Sequence, residues 1–178
     1  MTTSASELVL HSDSPDATLA MGRALGEVAE PGLVVALIGP LGAGKTLFVR
    51  GVAAGLDVPA SQIVNSPTFV LIQEYAGRLP IFHFDTYRLA RPDQFAELGP
   101  HEYFEGNGIC LVEWADRVIE FLPPDRLDVN IELLGESSRR IKFSAPVTGR
   151  ASQVLARLSS RLAADKKRAP TTCYGIGF

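Results

Sequence analysis

Six consecutive apolar residues, Leu33-Val-Val-Ala-Leu-Ile38, run directly into Gly39-Pro-Leu-Gly-Ala-Gly44-Lys45-Thr46, and this junction constrains the chain more than any other stretch. A strand apolar on both faces must be covered on both, as in the middle of a parallel sheet. Beyond the glycines the pattern predicts a helix from Lys45 to about Leu56. Strand, glycine-rich turn and helix in that order fit the pattern G-x-x-x-x-G-K-[ST]. Its glycines, here Gly39, Gly42 and Gly44, let successive N–H groups converge on phosphate oxygens, with the positive end of the helix dipole at the same point. Backbone from Leu41 and Ala43 through Leu47 then lines the cradle, Lys45 can reach the β- and γ-phosphates, and the Thr46 hydroxyl can ligate Mg²⁺. Accident is a poor explanation, because with glycine at about 7% of residues a chain this long matches the pattern in roughly 1% of cases or fewer. Pro40 removes one N–H from the cradle.

The remaining composition narrows the class. A chain of 178 residues, 46% hydrophobic and 21% charged, is one folded domain and not a disordered chain. With 17 basic against 20 acidic residues the net charge is −3, so no strong overall field draws it to phosphate backbones or anionic lipid. Cys110 and Cys173 lack the paired spacing of a zinc site or a disulfide framework and read as buried or idle thiols. The stretch from Met1 to Asp16 is polar and carries Glu7, Asp13 and Asp16, unlike a signal peptide, and there is no apolar run of membrane-spanning length. The expected location is the cytoplasm.

Along the chain, Asp16 to Glu30 reads as a helix capped by Ser14 or Asp16 and stopped by Pro31-Gly32. Phe69–Tyr75 and Leu79–Tyr87 read as strands joined by the turn Ala76-Gly77-Arg78, and Pro92–Leu98 as a short helix. Ile109–Val112 reads as a further strand, followed by a helix from Ala115 to Phe121. Leu127–Leu134 and Arg139–Ala145 form a second expected hairpin at a sheet edge. The division that follows is a single domain over residues 1–149, with an amphipathic helix and a loose tail over residues 150–178.

Two acids stand where strands end. In Pro80-Ile-Phe-His-Phe-Asp-Thr-Tyr-Arg88 the strand period puts His83, Asp85 and Tyr87 on one face and Phe82 and Phe84 on the other. Beside the phosphate-loop strand, Asp85 would fall near the carboxyl end of the sheet, where it could hold a metal-bound water or orient an attacking one. A solvated carboxylate paired with Arg88 is the plainer alternative. Ile109-Cys-Leu-Val-Glu113 delivers Glu113 the same way and resembles a Walker B strand, whose terminal acid binds Mg²⁺; a surface Glu following a core strand is the plainer alternative. Trp114 is open to two roles, packing anchor or base-stacking ring. Asn65-Ser-Pro-Thr68-Phe lies where phosphate-sensing segments occur, with a Thr or Ser hydroxyl, Thr68 or Ser66, facing the γ-phosphate and metal, or is an ordinary turn before a strand. Arg88 and Arg117 could neutralise phosphate charge or serve structure alone.

In their order, the phosphate loop, Ser66-Pro-Thr-Phe69, His83-Phe-Asp-Thr-Tyr-Arg-Leu89 and Glu113-Trp114 resemble the TsaE (YjeE) family of small P-loop ATPases. That resemblance covers about Asp16 to Ala145; Pro40 and Leu47 stand where the family usually has Asp and a second Thr. It implies a three-layer α/β/α P-loop NTPase fold, with a mostly parallel central sheet and antiparallel hairpins at the edge. It also implies Mg-ATP as ligand and slow ATP hydrolysis, used with the partners TsaB and TsaD in forming threonylcarbamoyladenosine at position 37 of tRNAs. tRNA would be met only indirectly, through the complex, and no membrane is involved. By that analogy Lys45, Asp85 and Glu113 are catalytic, Thr46 and Glu113 bind the metal, and Asp85 serves the metal or the attacking water. A small-molecule P-loop kinase is the strongest rival, with Asp85 deprotonating an acceptor hydroxyl. A GTPase switch and a non-hydrolysing binding module are the others.

Overall fold

The computed structural model describes residues 5–62, 64–67 and 70–168, with side chains through residue 165. Its central element is one seven-stranded sheet in the order β1-β7-β6-β2-β5-β4-β3. The strands are β1 (Ala5–Ser12), β2 (Val34–Ile38), β3 (Ile72–Tyr75), β4 (Ile81–Asp85), β5 (Ile109–Glu113), β6 (Leu127–Leu133) and β7 (Arg139–Pro146). β6, β2, β5 and β4 run parallel, while β1–β7, β6–β7 and β3–β4 are antiparallel. The expected mixed α/β sheet is therefore the observed one.

Both faces of β2 are buried, as its sequence requires. Leu33, Val35 and Leu37 face one cluster with Met21, Leu25, Phe48, Val52 and Leu158, whereas Val34 and Ala36 face a second with Phe84, Phe95 and Val118. The first cluster is covered by α1 (Pro15–Val28), α2 (Lys45–Gly55) and α5 (Arg150–Arg168). The second lies under short pieces, α3 (Gln94–Glu97), α4 (Pro100–Phe104) and two 3-10 turns at Ala115–Arg117 and Ile119–Phe121. On β6, Leu127, Val129 and Ile131 face the first cluster, while Asp128 and Asn130 on the opposite face are partly exposed.

Several boundaries differ from the expectation, each for a physical reason. β1 comes from a segment read as a polar terminus. Its Leu10 is buried opposite Ile141 and its Glu7 pairs with Lys142 at 2.7 Å, a pairing across the whole sequence. β1 also covers β7, so the β6–β7 hairpin sits inside the sheet, with β6 parallel to β2. β4 is not beside β2, because β5 lies between them. The helix expected over 115–121 is two 3-10 turns, and the 92–98 helix shortens to α3 and is followed by α4, started by Pro100 after Gly99. α1 is capped by Ser14, whose side chain accepts from the Ala17 N–H at 3.1 Å, with Pro15 in the first turn. No helix among the described residues is long and apolar enough to cross a membrane.

Candidate nucleotide site at the carboxyl end of the sheet

β2 ends at Ile38 and α2 begins at Lys45, so the loop between them lies at the carboxyl edge of the parallel strands, where ligands of such sheets collect. Gly44 caps α2 at φ +105, in the left-handed region that side chains avoid. At Gly39 a Cβ would come within 2.5 Å of the Ile131 carbonyl of β6. The loop is held closed by Ala43 N–H donating to the Pro40 carbonyl at 3.2 Å, and by Arg139 Nε donating to the Ala43 carbonyl at 3.2 Å. The first ladder bond of α2 is Phe48 N–H to the Gly44 carbonyl at 2.9 Å, leaving the N–H groups of Lys45, Thr46 and Leu47 ahead of it. Leu41, at the tip, is 74% exposed. Leu41, Gly42, Gly44, Lys45, Thr46, Leu47, Glu113 and Trp114 line a cavity of about 270 Å³.

Sheet register gathers the acids. Glu113 stands opposite Leu37 on one side and Asp85 on the other, so the ends of β2, β5 and β4 form one row. Glu113 is buried, and both its oxygens lie within hydrogen-bond distance of the Thr46 hydroxyl, at 2.9 and 3.0 Å. Its Oε1 also meets His83 Nε2 at 2.9 Å. Asp85, equally buried, accepts from the Ser66 hydroxyl and from the Tyr87 N–H, the latter at 2.9 Å. It is not the solvated carboxylate of the plainer alternative.

Lys45 is buried and its Nζ donates to the carbonyls of Gly39 at 2.7 Å and Pro40 at 3.0 Å. The ammonium lies 3.5 Å from the centroid of the Trp114 ring, which packs on Tyr87 at 4.8 Å. Burial lowers the Lys45 pKa from its ordinary value, against the opposing pull of Glu113, Asp116 and Asp85. Trp114 reaches this position through a backbone φ of +59, pinned by Thr86 Oγ1 donating to the Glu113 and Trp114 carbonyls at 3.1 and 2.8 Å.

Other residues serve as struts. Arg117 donates to the Tyr87 and Leu89 carbonyls at 2.9 and 2.6 Å, a structural use. Arg50, on α2, donates to the Val64 carbonyl at 2.7 Å and to Asn65 Oδ1 at 2.8 Å, tying the helix to the segment that presents Ser66. Thr68 lies outside the described residues. Sequence reasoning gave His83 no task, and offered Ser66 only as one of two hydroxyls, with Thr68, that could face the γ-phosphate; its bond to Asp85 was not anticipated. The signal for His83 was its position two residues before Asp85, on the same strand face.

A second, larger cavity of about 490 Å³ opens elsewhere, between Val34, Phe104, Phe121 and Pro123. Its Asp125 accepts from the Arg150 and Ala151 N–H groups at 2.9 and 3.1 Å, and its Arg150 side chain donates to the Gly32 carbonyl at 3.0 Å. Those polar groups are spent on starting and seating α5. The chemistry converges instead at the glycine loop.

The donors there are a hydroxyl and carboxylates, and among the described residues no group of three or more His, Cys, Asp or Glu is arranged to hold a metal ion by itself. That set fits Mg²⁺, which takes one or two protein oxygens and completes its shell with water and phosphate, and does not fit a metal wanting a full protein cage.

Comparison with known proteins points to one family. The family model described as threonylcarbamoyl adenosine biosynthesis protein TsaE matches residues 12–141. The tRNA threonylcarbamoyladenosine biosynthesis protein TsaE of Bacillus subtilis is 47% identical over 133 residues, which are 74% of this chain and 82% of that protein. Its namesake in Treponema pallidum is 40% identical over 130 residues, 73% of this chain and 95% of that protein. The crystal structure of Bacillus subtilis YdiB superposes with a TM-score of 0.76 at 39% identity, covering 88% of this chain and 97% of that one. The match spans the phosphate loop, both strand-end acids and the strands that deliver them, and on that ground the chain belongs to the TsaE family.

Proposed function

We propose that the protein is a Mg-dependent ATPase required for forming threonylcarbamoyladenosine at position 37 of tRNAs, and that it acts with TsaB and TsaD by resetting their complex through ATP binding and hydrolysis. The family supports the pathway, since the relatives in Bacillus subtilis and Treponema pallidum are named for it. One observation carries the chemistry: the Thr46 hydroxyl, at the start of the loop helix, bonds the Glu113 carboxylate at the end of β5.

The triphosphate is received by the N–H groups of the loop and of the first turn of α2, already oriented by the fold. Lys45 leaves the Gly39 and Pro40 carbonyls and places its charge on the β- and γ-phosphates, which compensates it for burial better than those neutral carbonyls do. Thr46 and Glu113 would hold Mg²⁺, with Asp85 next to them in the strand row. Bound there, the ion supplies neutralisation of phosphate charge. Asp85, fixed by Ser66 and the Tyr87 N–H, orients the attacking water. Catalysis on this account is positioning and charge neutralisation, and hydrolysis is slow until the partners complete the site.

The test is ATP and GTP hydrolysis measured with the protein alone and with TsaB and TsaD added. Slow ATP turnover that rises with both partners is the expected result. Phosphorylation of a metabolite, with no response to the partners, replaces the proposal with the kinase.

A further inference from the structure

His83 is fully buried in β4, yet it is not used as packing alone. Its Nε2 meets Glu113 Oε1 at 2.9 Å, and its Nδ1 has no hydrogen-bond partner among the described residues. An ionised carboxylate can only accept, so Nε2 carries the proton and donates. The other ring nitrogen is therefore left unsatisfied; the imidazole and Tyr75 ring centroids are 6.3 Å apart. An apolar side chain would fill the same space without an orphaned nitrogen, so what distinguishes histidine here is the one bond to Glu113. That bond is asymmetric. His83 meets Oε1 alone, whereas the Thr46 hydroxyl lies within reach of both oxygens, at 2.9 Å from Oε1 and 3.0 Å from Oε2, so Oε2 has Thr46 as its one partner among the described residues.

We propose that His83 is a positioning residue of the nucleotide site, holding Oε1 of Glu113 from β4 so that Oε2 and the Thr46 hydroxyl are presented together to the metal that accompanies the phosphates. This rests on the Mg-nucleotide reading above and adds a residue and a selection between two oxygens to it. The arrangement is a relay across three elements: imidazole on β4, carboxylate on β5, hydroxyl on α2. It follows the general pattern in which a partner behind a metal-binding group fixes that group's orientation.

The experiment is equilibrium binding of ATP to the full chain, in EDTA and across a Mg²⁺ titration, for the parent, His83→Gln, His83→Phe and His83→Asn, alongside thermal melting without ligand. Gln places an amide N–H at the reach of Nε2, Asn places one short of Glu113, and Phe supplies none. For Phe and Asn the expected result is a Mg²⁺ midpoint raised by roughly 10-fold or more. ATP affinity in EDTA should stay within about twofold, and Gln should keep a midpoint within about threefold of the parent's. If the Phe variant does not fold, Asn against Gln decides the matter. Equal midpoints in all variants, or an equal shift in Gln and Asn, overturns the positioning role; so does a loss of ATP affinity in EDTA as large as that in Mg²⁺. A parent whose ATP binding ignores Mg²⁺ overturns the functional reading itself, and this inference with it.

Discussion

At the scale of single residues, the site is a set of buried polar side chains that each have a defined partner. Glu113→Ala leaves the buried His83 Nε2 and the Thr46 hydroxyl without their acceptor. The chain is expected to fold with a loss of about 1–3 kcal/mol in chemical denaturation and with weakened Mg²⁺-dependent turnover; activity equal to the parent's removes Glu113 from the site. Cys110 is a different case, because burial pushes its thiol from 9.0 up to about 12. Between those two values the unfolded chain gives up its proton while the folded one keeps it, so stability falls as pH rises through the window. Melting curves across that range should show a steeper alkaline loss in the parent than in Cys110→Ala, and parallel curves would contradict the assignment. Lys45 contributes the opposite sign, its lowered pKa favouring the fold as pH rises toward 10.5, but it is present in both proteins and cancels.

The four residues Lys45, Thr46, Asp85 and Glu113 were legible in the sequence because each ends a buried apolar run or sits in a patterned loop. The bonds of His83 and Ser66 to those acids were not. They join residues 30 and 19 positions apart, which only the register of β4 with β5 and the path of the 64–67 segment bring into contact.

At the scale of elements, the position of the phosphate loop depends on how α2 is seated against α1. Gly22 and Gly26 on α1 face Gly51 and Gly55 on α2 so closely that backbone touches backbone. A Cβ at Gly51 would lie 2.2 Å from the Leu19 carbonyl, and one at Gly55 2.1 Å from the Arg23 carbonyl. Neither obstacle is a flexible side chain that can swing away. Gly51→Ala is therefore expected to separate the helices, costing about 1–3 kcal/mol or more in denaturant titrations and weakening ATP binding as the N-terminus of α2 shifts. An unchanged denaturation midpoint would show that the crossing has slack. These glycines have no side chain by which the sequence could announce the contact. The helices themselves were legible from their apolar periodicity, while the face each needed to present was not. β1 escaped notice for a related reason: its apolar Leu8 and Leu10 make too short a pattern to announce a strand without β7 beside it.

At the scale of the molecule, one sheet joins the site to the rest of the chain. α5 contributes Ala151, Val154, Leu155 and Leu158 to the cluster that also holds Phe48 and Val49 of α2, so the far end of the chain supports the helix that follows the glycine loop. Truncation after Gly149 uncovers those side chains, three of which are worth about 1.5–3 kcal/mol each when buried. Against a usual total of about 5–15 kcal/mol, that loss is expected to yield a protein that aggregates or fails to melt cooperatively. A truncated chain with the parent's melting temperature would show α5 to be an accessory. The mostly parallel centre of the sheet was legible from the continuous apolar runs of β2 and β5. The order of the remaining strands was not, since pairing across more than 100 residues leaves no local trace, as with Leu10 and Ile141. The account as a whole stands on the glycine loop as a grip for a nucleotide triphosphate. Isothermal titration of ATP with Mg²⁺ into the parent and Lys45→Ala tests this most directly: saturable binding in the parent and none in the variant is the result expected, and equal affinity in the two would contradict it.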